Sequence, residues 1–201
     1  MALNREALVA GLRAIADHME IVAAELNTAD GKLGDGDLGI TMVRGSREVK
    51  TILDDLPPEI GEALMKVAQA FTRISGSSFG TLVAAALMSA AKATRGRQDV
   101  PWSEISGLLA GALDTMRTRG KASLGDKTIL DALQAAADAT AGLDNPAVIL
   151  AAAQKAVIDT MDQFRGQQAK IGRARIFGEK SVGLDDPGML AFRRMLEGLA
   201  G

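Results

Sequence analysis

Apolar residues recur along most of this chain at alternating spacings of three and four, the period of an α-helix with one buried face. The pattern is clearest after Asn4, a residue type that often caps a helix N-terminus. The apolar positions of this first helix are Leu8, Leu12, Ile15, Met19, Val22 and Leu26. No stretch alternates with period two, so the pattern predicts helices and no β-sheet.

Seven further helices are predicted between short segments that contain glycine, proline or clustered polar residues. They are expected to begin near residues 39, 60, 81, 99, 129, 146 and 187. The second, fourth and sixth should end near Leu53, Arg95 and Thr140, and the last should bury Met189, Phe192, Leu196 and Leu199. Eight helices joined by short loops indicate an antiparallel bundle or a closed helical barrel. Neither an internal repeat nor a domain boundary is evident, so residues 1–201 are expected to form one domain.

Composition supports an all-α protein and excludes several kinds of chemistry. Aromatic residues are only 3% of the chain and Tyr is absent, which leaves alanine, leucine and methionine, all good helix formers, as the main apolar residues. The absence of cysteine excludes disulfides, thiolate metal ligands and thiol nucleophiles. A net charge of −2 without a basic block gives no support for nucleic acid as a partner. The N-terminus lacks a secretory pattern and no apolar run is long enough to span a membrane, so we expect a cytoplasmic protein.

The most distinctive stretch follows the first helix, where three carboxylates and four glycines fall within ten residues. Asp30 opens this stretch, and Asp35 and Asp37, two residues apart, point the same way in an extended loop. Carboxylates this close repel one another by about 1 kcal/mol per pair in water unless a cation joins them. Oxygen ligands select Mg²⁺ or Ca²⁺, and the spacing is not that of an EF-hand loop. We therefore favour a Mg²⁺ site that also holds phosphates; the alternative is an ordinary turn followed by a helix cap.

Three further irregular stretches, 75–80, 119–128 and 172–188, are separated from the first by even numbers of predicted helices. In an antiparallel array, all four stretches therefore return to one end. The first of the three offers hydroxyls and backbone N–H groups at a helix start, which suit an anion, and the last is basic, which suits phosphate. Taken singly, each has a plainer explanation as a helix cap or a solvated surface. Together with the acids, they indicate a nucleotide–Mg²⁺ site.

Four ordered blocks of sequence resemble a known family. LNTADGKLGDGDLGITM, SGSSFGTL, RGKASLGDKTILDAL and GRARIFGEKSVGLDDPG are similar to the signature blocks of the nucleotide-binding L subunit of dihydroxyacetone kinase. The resemblance covers nearly the whole chain. It implies an antiparallel bundle of eight helices closed into a barrel, with ADP or ATP held at one end through two Mg²⁺ ions.

The resemblance also implies the residues of the site, position by position. Asp30, Asp35 and Asp37 would be the metal ligands. The nucleotide would contact Leu38, Gly39, Ile40, Thr41, Ser77, Ser78, Gly120, Ile129, Arg173, Asp186, Pro187 and Gly188.

In that family, this subunit supplies the phosphoryl group, and a separate K subunit binds the ketone substrate through a histidine. We therefore expect a K subunit as partner, with a homodimer as a further candidate assembly. Members that use a phosphotransferase-system phosphocarrier as donor commonly carry DADHG, whereas this chain has DGDLG with Leu38 in place of the histidine. The donor is therefore left open between ATP and a phosphocarrier, and the ketose between dihydroxyacetone and a four-carbon ketose such as erythrulose.

A second hypothesis is a nucleotide-dependent interaction or regulatory protein that uses the same pocket structurally. The sequence does not separate this hypothesis from a kinase subunit, because both need the acids and the phosphate-binding stretches. The only histidine, His18, lies beside the apolar face of the first helix and is expected to be a partly buried surface residue without a catalytic role.

Overall fold

Eight α-helices make up most of residues 2–74 and 77–200, the part of the chain that the computed structural model describes. They are α1 (Arg5–Leu33), α2 (Leu38–Lys50), α3 (Ile60–Ile74), α4 (Ser78–Ala93), α5 (Ile105–Gly120), α6 (Ile129–Thr140), α7 (Pro146–Arg165) and α8 (Pro187–Gly198). Short 3-10 helices lie at Leu53–Asp55, Trp102–Glu104 and Ala174–Ser181. The prediction of an all-α protein with eight helices is confirmed.

The helices form a closed ring. Each helix packs against the next one in sequence, and α8 returns to pack against α1. One large apolar cluster fills the ring and takes residues from all eight helices, among them the fully buried Met19, Ile60 and Val157. The arrangement is the closed barrel that the resemblance implies. The extension of one domain over residues 1–201 stays a prediction, which this shared core supports.

Local sequence explains most helix starts. Asn4, Thr128, Asn145 and Asp186 each accept a hydrogen bond from a backbone N–H of the first turn that follows. Thr128 does so within a reciprocal capping box with Asp131, which satisfies two N–H groups that a helix start otherwise leaves without partners.

Several predicted boundaries are wrong by a few residues. The first helix continues to Leu33, so Asp30 lies in its last turn and not in a loop. Leu33 is buried against Ala169 and Ala174, and this packing stabilises the helix beyond Gly31. The second helix begins at Leu38 and ends at Lys50, three residues early. The fourth begins at Ser78 because Ser77 caps it.

Two further expectations are corrected. A two-stranded antiparallel sheet, β1 (Ala2–Leu3) with β2 (Val100–Pro101), is present although no sheet was predicted. Strands of two residues are too short to show alternation. Leu199 follows the end of α8 and is 41% exposed, so it is not an inward position.

The two ends of the barrel differ. At the end that holds β1 and β2, Arg5 at the start of α1 donates to the Leu56 carbonyl, and the Ile60 amide donates to the Arg97 carbonyl. The other end, which we call the site end, holds the described residues of the α1–α2, α3–α4, α5–α6 and α7–α8 connections: 34–37, 77, 121–128 and 166–186. Within the described residues, no helix is long and apolar enough to cross a membrane.

Candidate functional site

Three carboxylates converge at the site end. Asp30 is held by the last turn of α1, Asp35 lies in the connection to α2, and Asp37 immediately precedes α2. Each offers one carboxylate oxygen such that the three atoms lie within 4.8 Å of one another. The structure therefore brings together the three residues that the sequence predicts as metal ligands.

Asp30 also shapes the loop that carries the other two acids. Its Oδ2 accepts hydrogen bonds from the backbone N–H groups of Gly36 (2.9 Å) and Asp37 (3.0 Å). Gly36 has φ +76°, a conformation that favours glycine. With Oδ2 engaged by the backbone, Asp30 retains Oδ1 as the oxygen that is free to bind a cation.

The loop is seated by a very close approach of α1 and α2. A β-carbon on Gly39 would overlap the carbonyl oxygen of Ala23 and come within 2.8 Å of Asn27 Oδ1. Asn27 Oδ1 in turn accepts the Ile40 N–H at 3.2 Å. Gly39 is therefore required for helix contact, and Asn27 fixes the first turn of α2 beneath the acids.

The electrostatics show excess negative charge. The pKa of Asp37 is raised by desolvation and by repulsion from Asp35 and Asp30, and the guanidinium of Arg173 partly opposes this change. Arg173 forms an ion pair with Asp35. Because both side chains of that pair are substantially exposed, it adds little stability, and it offsets only one of the three negative charges.

Asp37 occupies the N-cap position of α2 but does not act as its cap. Its φ and ψ of −112° and 4° are not those of a capping residue, and its side chain makes no capping hydrogen bond. By contrast, the capping carboxylate of Asp186 accepts the Met189 N–H at 2.8 Å. The helix-cap explanation of Asp37, open from the sequence, is not supported by this geometry.

These observations test whether a divalent cation fits. Three hard carboxylate ligands, an uncompensated charge and one oriented free oxygen on Asp30 match what Mg²⁺ requires of a protein site. A Mg²⁺ ion normally keeps several waters and binds through one or two carboxylates together with substrate phosphates. The donor set is of that kind, and Asp30, Asp35 and Asp37 would hold the ion.

Helix N-termini supply the opposite electrostatic character nearby. The N-cap of α4 is Ser77, whose hydroxyl accepts the Gly80 N–H at 3.0 Å, and the N-caps of α6 and α8 are Thr128 and Asp186. Each N-terminus carries a partial positive charge, and the starts of α4 and α6 leave N–H groups available to an anion. At the start of α8, Pro187 has no N–H, and the Gly188 and Met189 N–H groups donate to the Asp186 carboxylate. The stretch at residues 75–80 is only partly placed, since Ser75 and Gly76 lie outside the described residues.

The start of α8 lies against the starts of both α4 and α6. A β-carbon on Gly188 would lie 3.1 Å from the ring of Phe79 and 3.5 Å from Cβ of Ile129. A β-carbon on Gly120, at the end of α5, would lie 3.6 Å from Leu82 of α4. The prediction that these stretches meet at one end is therefore confirmed for the described residues.

Asp186 lies in an unusual environment. Desolvation raises its pKa to about 7, against the lowering effect of the Met189 and Gly188 N–H groups and of the Lys127 ammonium. A nearby carboxylate, Asp131, contributes to the rise. This half-buried capping acid is sensitive to any charged ligand that approaches the start of α8.

The predicted nucleotide contacts differ in accessibility. The side chains of Leu38, Thr41, Ile129 and Pro187 are buried, while Ile40 and Ser78 are exposed. Contacts from the first group would therefore involve mainly backbone atoms. Leu38 belongs to the main apolar cluster, so the residue that replaces the histidine of DADHG contributes to the core.

Sequence reasoning missed three residues that shape this end: Asn27, Phe79 and Lys127. Asn27 lies on the first predicted helix, three residues before Asp30, and nothing in the local pattern indicates a structural role for it. Phe79 could have been noticed as the one large side chain in a run of small residues. Lys127 is a charged residue in a predicted loop, where exposure is the normal expectation.

An all-α barrel with a carboxylate cluster and several helix N-termini at one end is the class of domain that this fold and site define. The chain belongs to the DAK2 domain family, whose model matches residues 32–201. The resemblance seen in the sequence is thereby confirmed.

Curated relatives extend the match over the whole chain. The ADP-binding subunit DhaL of a PEP-dependent dihydroxyacetone kinase from Escherichia coli is 30% identical over 100% of this chain and 98% of that protein. A DhaL subunit from Listeria innocua is 33% identical over 81% of this chain and 78% of that protein. L-erythrulose 1-kinase from Mycolicibacterium smegmatis is 35% identical over 88% of this chain but only 32% of its own length.

Solved structures show the same fold. The dihydroxyacetone kinase of C. freundii in complex with AMP-PNP and Mg²⁺ superimposes with a TM-score of 0.75 at 26% identity. The alignment covers 96% of this chain and 33% of that one, so this chain spans about a third of the solved kinase. The native form gives a TM-score of 0.77.

Proposed function

We propose that this chain is the nucleotide-binding subunit of a dihydroxyacetone-type ketose kinase. It binds ADP or ATP together with two Mg²⁺ ions and transfers a phosphoryl group to a short-chain ketose held on a separate K subunit. The observation that carries the proposal is the cluster of Asp30, Asp35 and Asp37, with ligand oxygens within 4.8 Å of one another.

The surroundings of the cluster support a nucleotide as the metal's companion. Arg173 reaches Asp35 from the α7–α8 connection, and a guanidinium beside the acidic cluster supports phosphate binding there. Phosphates are also favoured by the N–H groups at the starts of α4 and α6. The relatives named above are ADP-binding subunits, and one solved relative carries AMP-PNP and Mg²⁺.

The proposed step is an in-line phosphoryl transfer. A hydroxyl oxygen of the ketose forms a bond to the transferred phosphorus, the bond from that phosphorus to the donor oxygen breaks, and the hydroxyl proton leaves to a base outside this chain. When bound, Mg²⁺ neutralises charge on the phosphate oxygens during transfer. The chain itself contributes position and electrostatics: Asp30, Asp35 and Asp37 hold the metal, and Arg173 and the helix N-termini orient the phosphates.

The acceptor is proposed to come from a partner because this chain offers no group suited to hold a ketose. Its only histidine, His18, lies on α1 twelve residues before Asp30, or about 18 Å along the helix axis. The site end also carries exposed apolar surface. Of the eight exposed large apolar side chains among the described residues, four lie at or beside this end: Ile40, Leu124, Ile176 and Val182. An apolar rim of this kind suits docking of a K subunit over the nucleotide.

The decisive experiment measures ketose phosphorylation with and without a K subunit. We expect no turnover from the purified chain alone with dihydroxyacetone or erythrulose, and turnover once a K subunit and a phosphoryl donor are added. Supplying either ATP or a phosphotransferase-system phosphocarrier separates the two donors, and Mn²⁺ titration counts the ions. Nucleotide binding without turnover under every donor and partner combination would favour the regulatory alternative. Rapid phosphorylation by the chain alone would contradict the division of labour.

A further inference from the structure

The largest fully buried side chain among the described residues is a lysine in the connection between α5 and α6. Lys127 is only 1% exposed. It has φ +62°, a left-handed conformation that is uncommon for any residue other than glycine. A buried charge and a strained backbone at the same residue indicate a specific role for its side chain.

All hydrogen bonds of the Lys127 ammonium are made to the α7–α8 connection or its edge. The Nζ atom donates to the carbonyls of Gln167 and Ser181, both at 2.8 Å, and of Arg165 at 3.3 Å. Three donors therefore meet three acceptors, as an ammonium group requires when it is buried. Burial lowers the pKa of Lys127, and the carboxylates of Asp186 and Asp185 oppose that change.

These carbonyls lie at both ends of one stretch of chain. Arg165 and Gln167 mark the exit from α7, and Ser181 ends the 3-10 helix Ala174–Ser181. A single side chain therefore ties the beginning and the end of a fifteen-residue excursion to the start of α6, and Arg173 lies near the middle of that excursion.

The main apolar cluster does not hold the α7–α8 connection in place. Its residues 166–186 contribute nothing to the main apolar cluster; they form a small separate cluster, whose members are Leu33, Ala169 and Ala174 with Phe177 and Leu184 packed against them. With so little apolar area, polar contacts hold the connection in place. Lys170 joins the same two connections at the surface: its backbone N–H donates to the Asp126 carbonyl at 3.1 Å, and its exposed Nζ donates to the Gly125 carbonyl.

We infer that Lys127 is a positioning residue for the nucleotide: its ammonium group, bound to the carbonyls of Arg165, Gln167 and Ser181, fixes the α7–α8 connection so that Arg173 faces the acidic cluster. The inference rests on the proposed function. It deepens that function, because Lys127 immediately precedes the capping Thr128 and the predicted contact Ile129, so the anchor and the anion-binding start of α6 belong to one short stretch.

The test compares Lys127→Met, which keeps the length of the side chain but removes its donors, with Lys170→Met as the matched control. Three quantities are measured on each protein: Mg-ADP affinity by calorimetry, Mn²⁺ affinity without nucleotide, and the rate of tryptic cleavage at Arg173, Arg175 and Lys180 under native conditions. For Lys127→Met we expect Mg-ADP affinity to fall at least about tenfold, cleavage in the connection to accelerate, and Mn²⁺ affinity to stay at the wild-type value. Lys170→Met should change none of the three appreciably.

A purely structural role gives a different result. In that case the melting temperature of Lys127→Met falls, but the protein that remains folded binds Mg-ADP as tightly as wild type, and the inference is overturned. Should Lys127→Met fail to fold, Ser181→Ala serves instead. It removes the bond from the Ala169 N–H to Ser181 Oγ and the bond from that hydroxyl to the Gly178 carbonyl, and it keeps the lysine. Ser181→Ala should show the same fall in Mg-ADP affinity and the same faster cleavage, both to a smaller extent. A cleavage rate and an affinity equal to those of the wild type would contradict the anchoring role.

Failure of the proposed function is recognised separately. A wild-type protein that binds neither Mn²⁺ nor Mg-ADP contradicts the nucleotide site itself. The cleavage rate of the Lys127 variant then decides alone whether the lysine anchors the connection.

Discussion

Replacing Asp37 by asparagine separates a metal ligand from a structural carboxylate more sharply than any other single change at the site. Asparagine is as good an N-cap residue as aspartate, so a capping role would survive the substitution. A metal site would not, since the change removes one full negative charge from a cluster of three. The side chain makes no capping bond in the structure, and we therefore expect ligand binding to change and folding to remain.

The magnitude follows from the spacing of the carboxylates. Two unit charges at the 4.8 Å limit of the cluster repel by about 0.9 kcal/mol in water. Asp37 faces both Asp35 and Asp30, while Arg173 offsets part of the repulsion. The apo variant should therefore be stabilised by no more than about 1 kcal/mol, which corresponds to about 2–4 °C in melting temperature for a chain of this size.

The ligand effect is larger and has the opposite sign. Saturating Mg-ADP at one hundred times its dissociation constant stabilises a binding protein by about 2.7 kcal/mol, or about 5–10 °C at this length. Asp37→Asn should lose most of that increment, together with phosphoryl transfer in the presence of a K subunit.

The assay is a thermal melt of both proteins with and without Mg-ADP, with Asp126→Asn as the control. Asp126 is a carboxylate at the same end that accepts the Ser123 N–H at 2.8 Å and belongs to no metal cluster found among the described residues. The control should keep the full ligand-induced shift. If Asp37→Asn keeps the apo melting temperature of the wild type and still shows the wild-type shift with Mg-ADP, the carboxylate of Asp37 is not a metal ligand and its assignment is wrong.

Three further predictions test other parts of the structure. Because burial raises the pKa of Asp186 to about 7, from about 3.9 in the unfolded chain, its contribution to stability is present below pH 4 and is lost as the pH rises through 7. Asp186→Asn keeps the cap without this loss, so urea titrations of the apo protein should show the variant gaining stability over wild type by about 1 kcal/mol or more between pH 5 and 8; a pH-independent difference would refute the burial argument. Gly39→Ala should lower the free energy of unfolding by about 1–3 kcal/mol because its methyl group overlaps the Ala23 carbonyl, whereas Gly107→Ala, with nothing within 4 Å of the new methyl, should raise it by about 0.5–1 kcal/mol; equal effects on urea unfolding would contradict the close approach of α1 and α2. The purified chain should phosphorylate no ketose by a coupled assay until a K subunit is present, because His18 lies far from the acids.

Periodicity was sufficient to predict the helices because packing and period agree along most of the chain. Leu8, Met19, Val22 and Leu26 repeat with helical spacing, and all four are buried. Counting helices then predicted that alternate connections share one end, since antiparallel neighbours leave no other arrangement. The carboxylate cluster was predictable for the same reason: its members are close in sequence, and the loop that joins them is too short to separate them.

The boundaries were harder because distant contacts decide them. Gly31 and Lys32 read locally as the beginning of a loop, yet α1 continues to Leu33, which is buried against Ala169 and Ala174 from the far end of the chain. No local signal contains that contact. The exposure of Leu199 is a similar case, since its place in the apolar period was correct and the helix simply ends one residue before it.

Lys127 shows why sequence reasoning recovers one half of the candidate site better than the other. The acidic half is attached to the core by neighbours in sequence: Leu38 is part of the main apolar cluster and Gly39 contacts α1. The half that carries Arg173 is attached by a lysine that is 38 to 54 residues away in sequence from the carbonyls it binds. A charged residue reveals such a role only once the chain path is known. The same difference has a physical consequence. Local stability follows buried apolar contacts, so the α7–α8 connection should open more readily than the acidic loop, and a nucleotide that bridges the two would stabilise mainly the weaker half. A change at Lys127 should therefore weaken nucleotide binding without weakening binding of the metal alone. Metal binding depends on the core beneath the acidic loop, whereas nucleotide binding depends also on the lysine that fixes the α7–α8 connection.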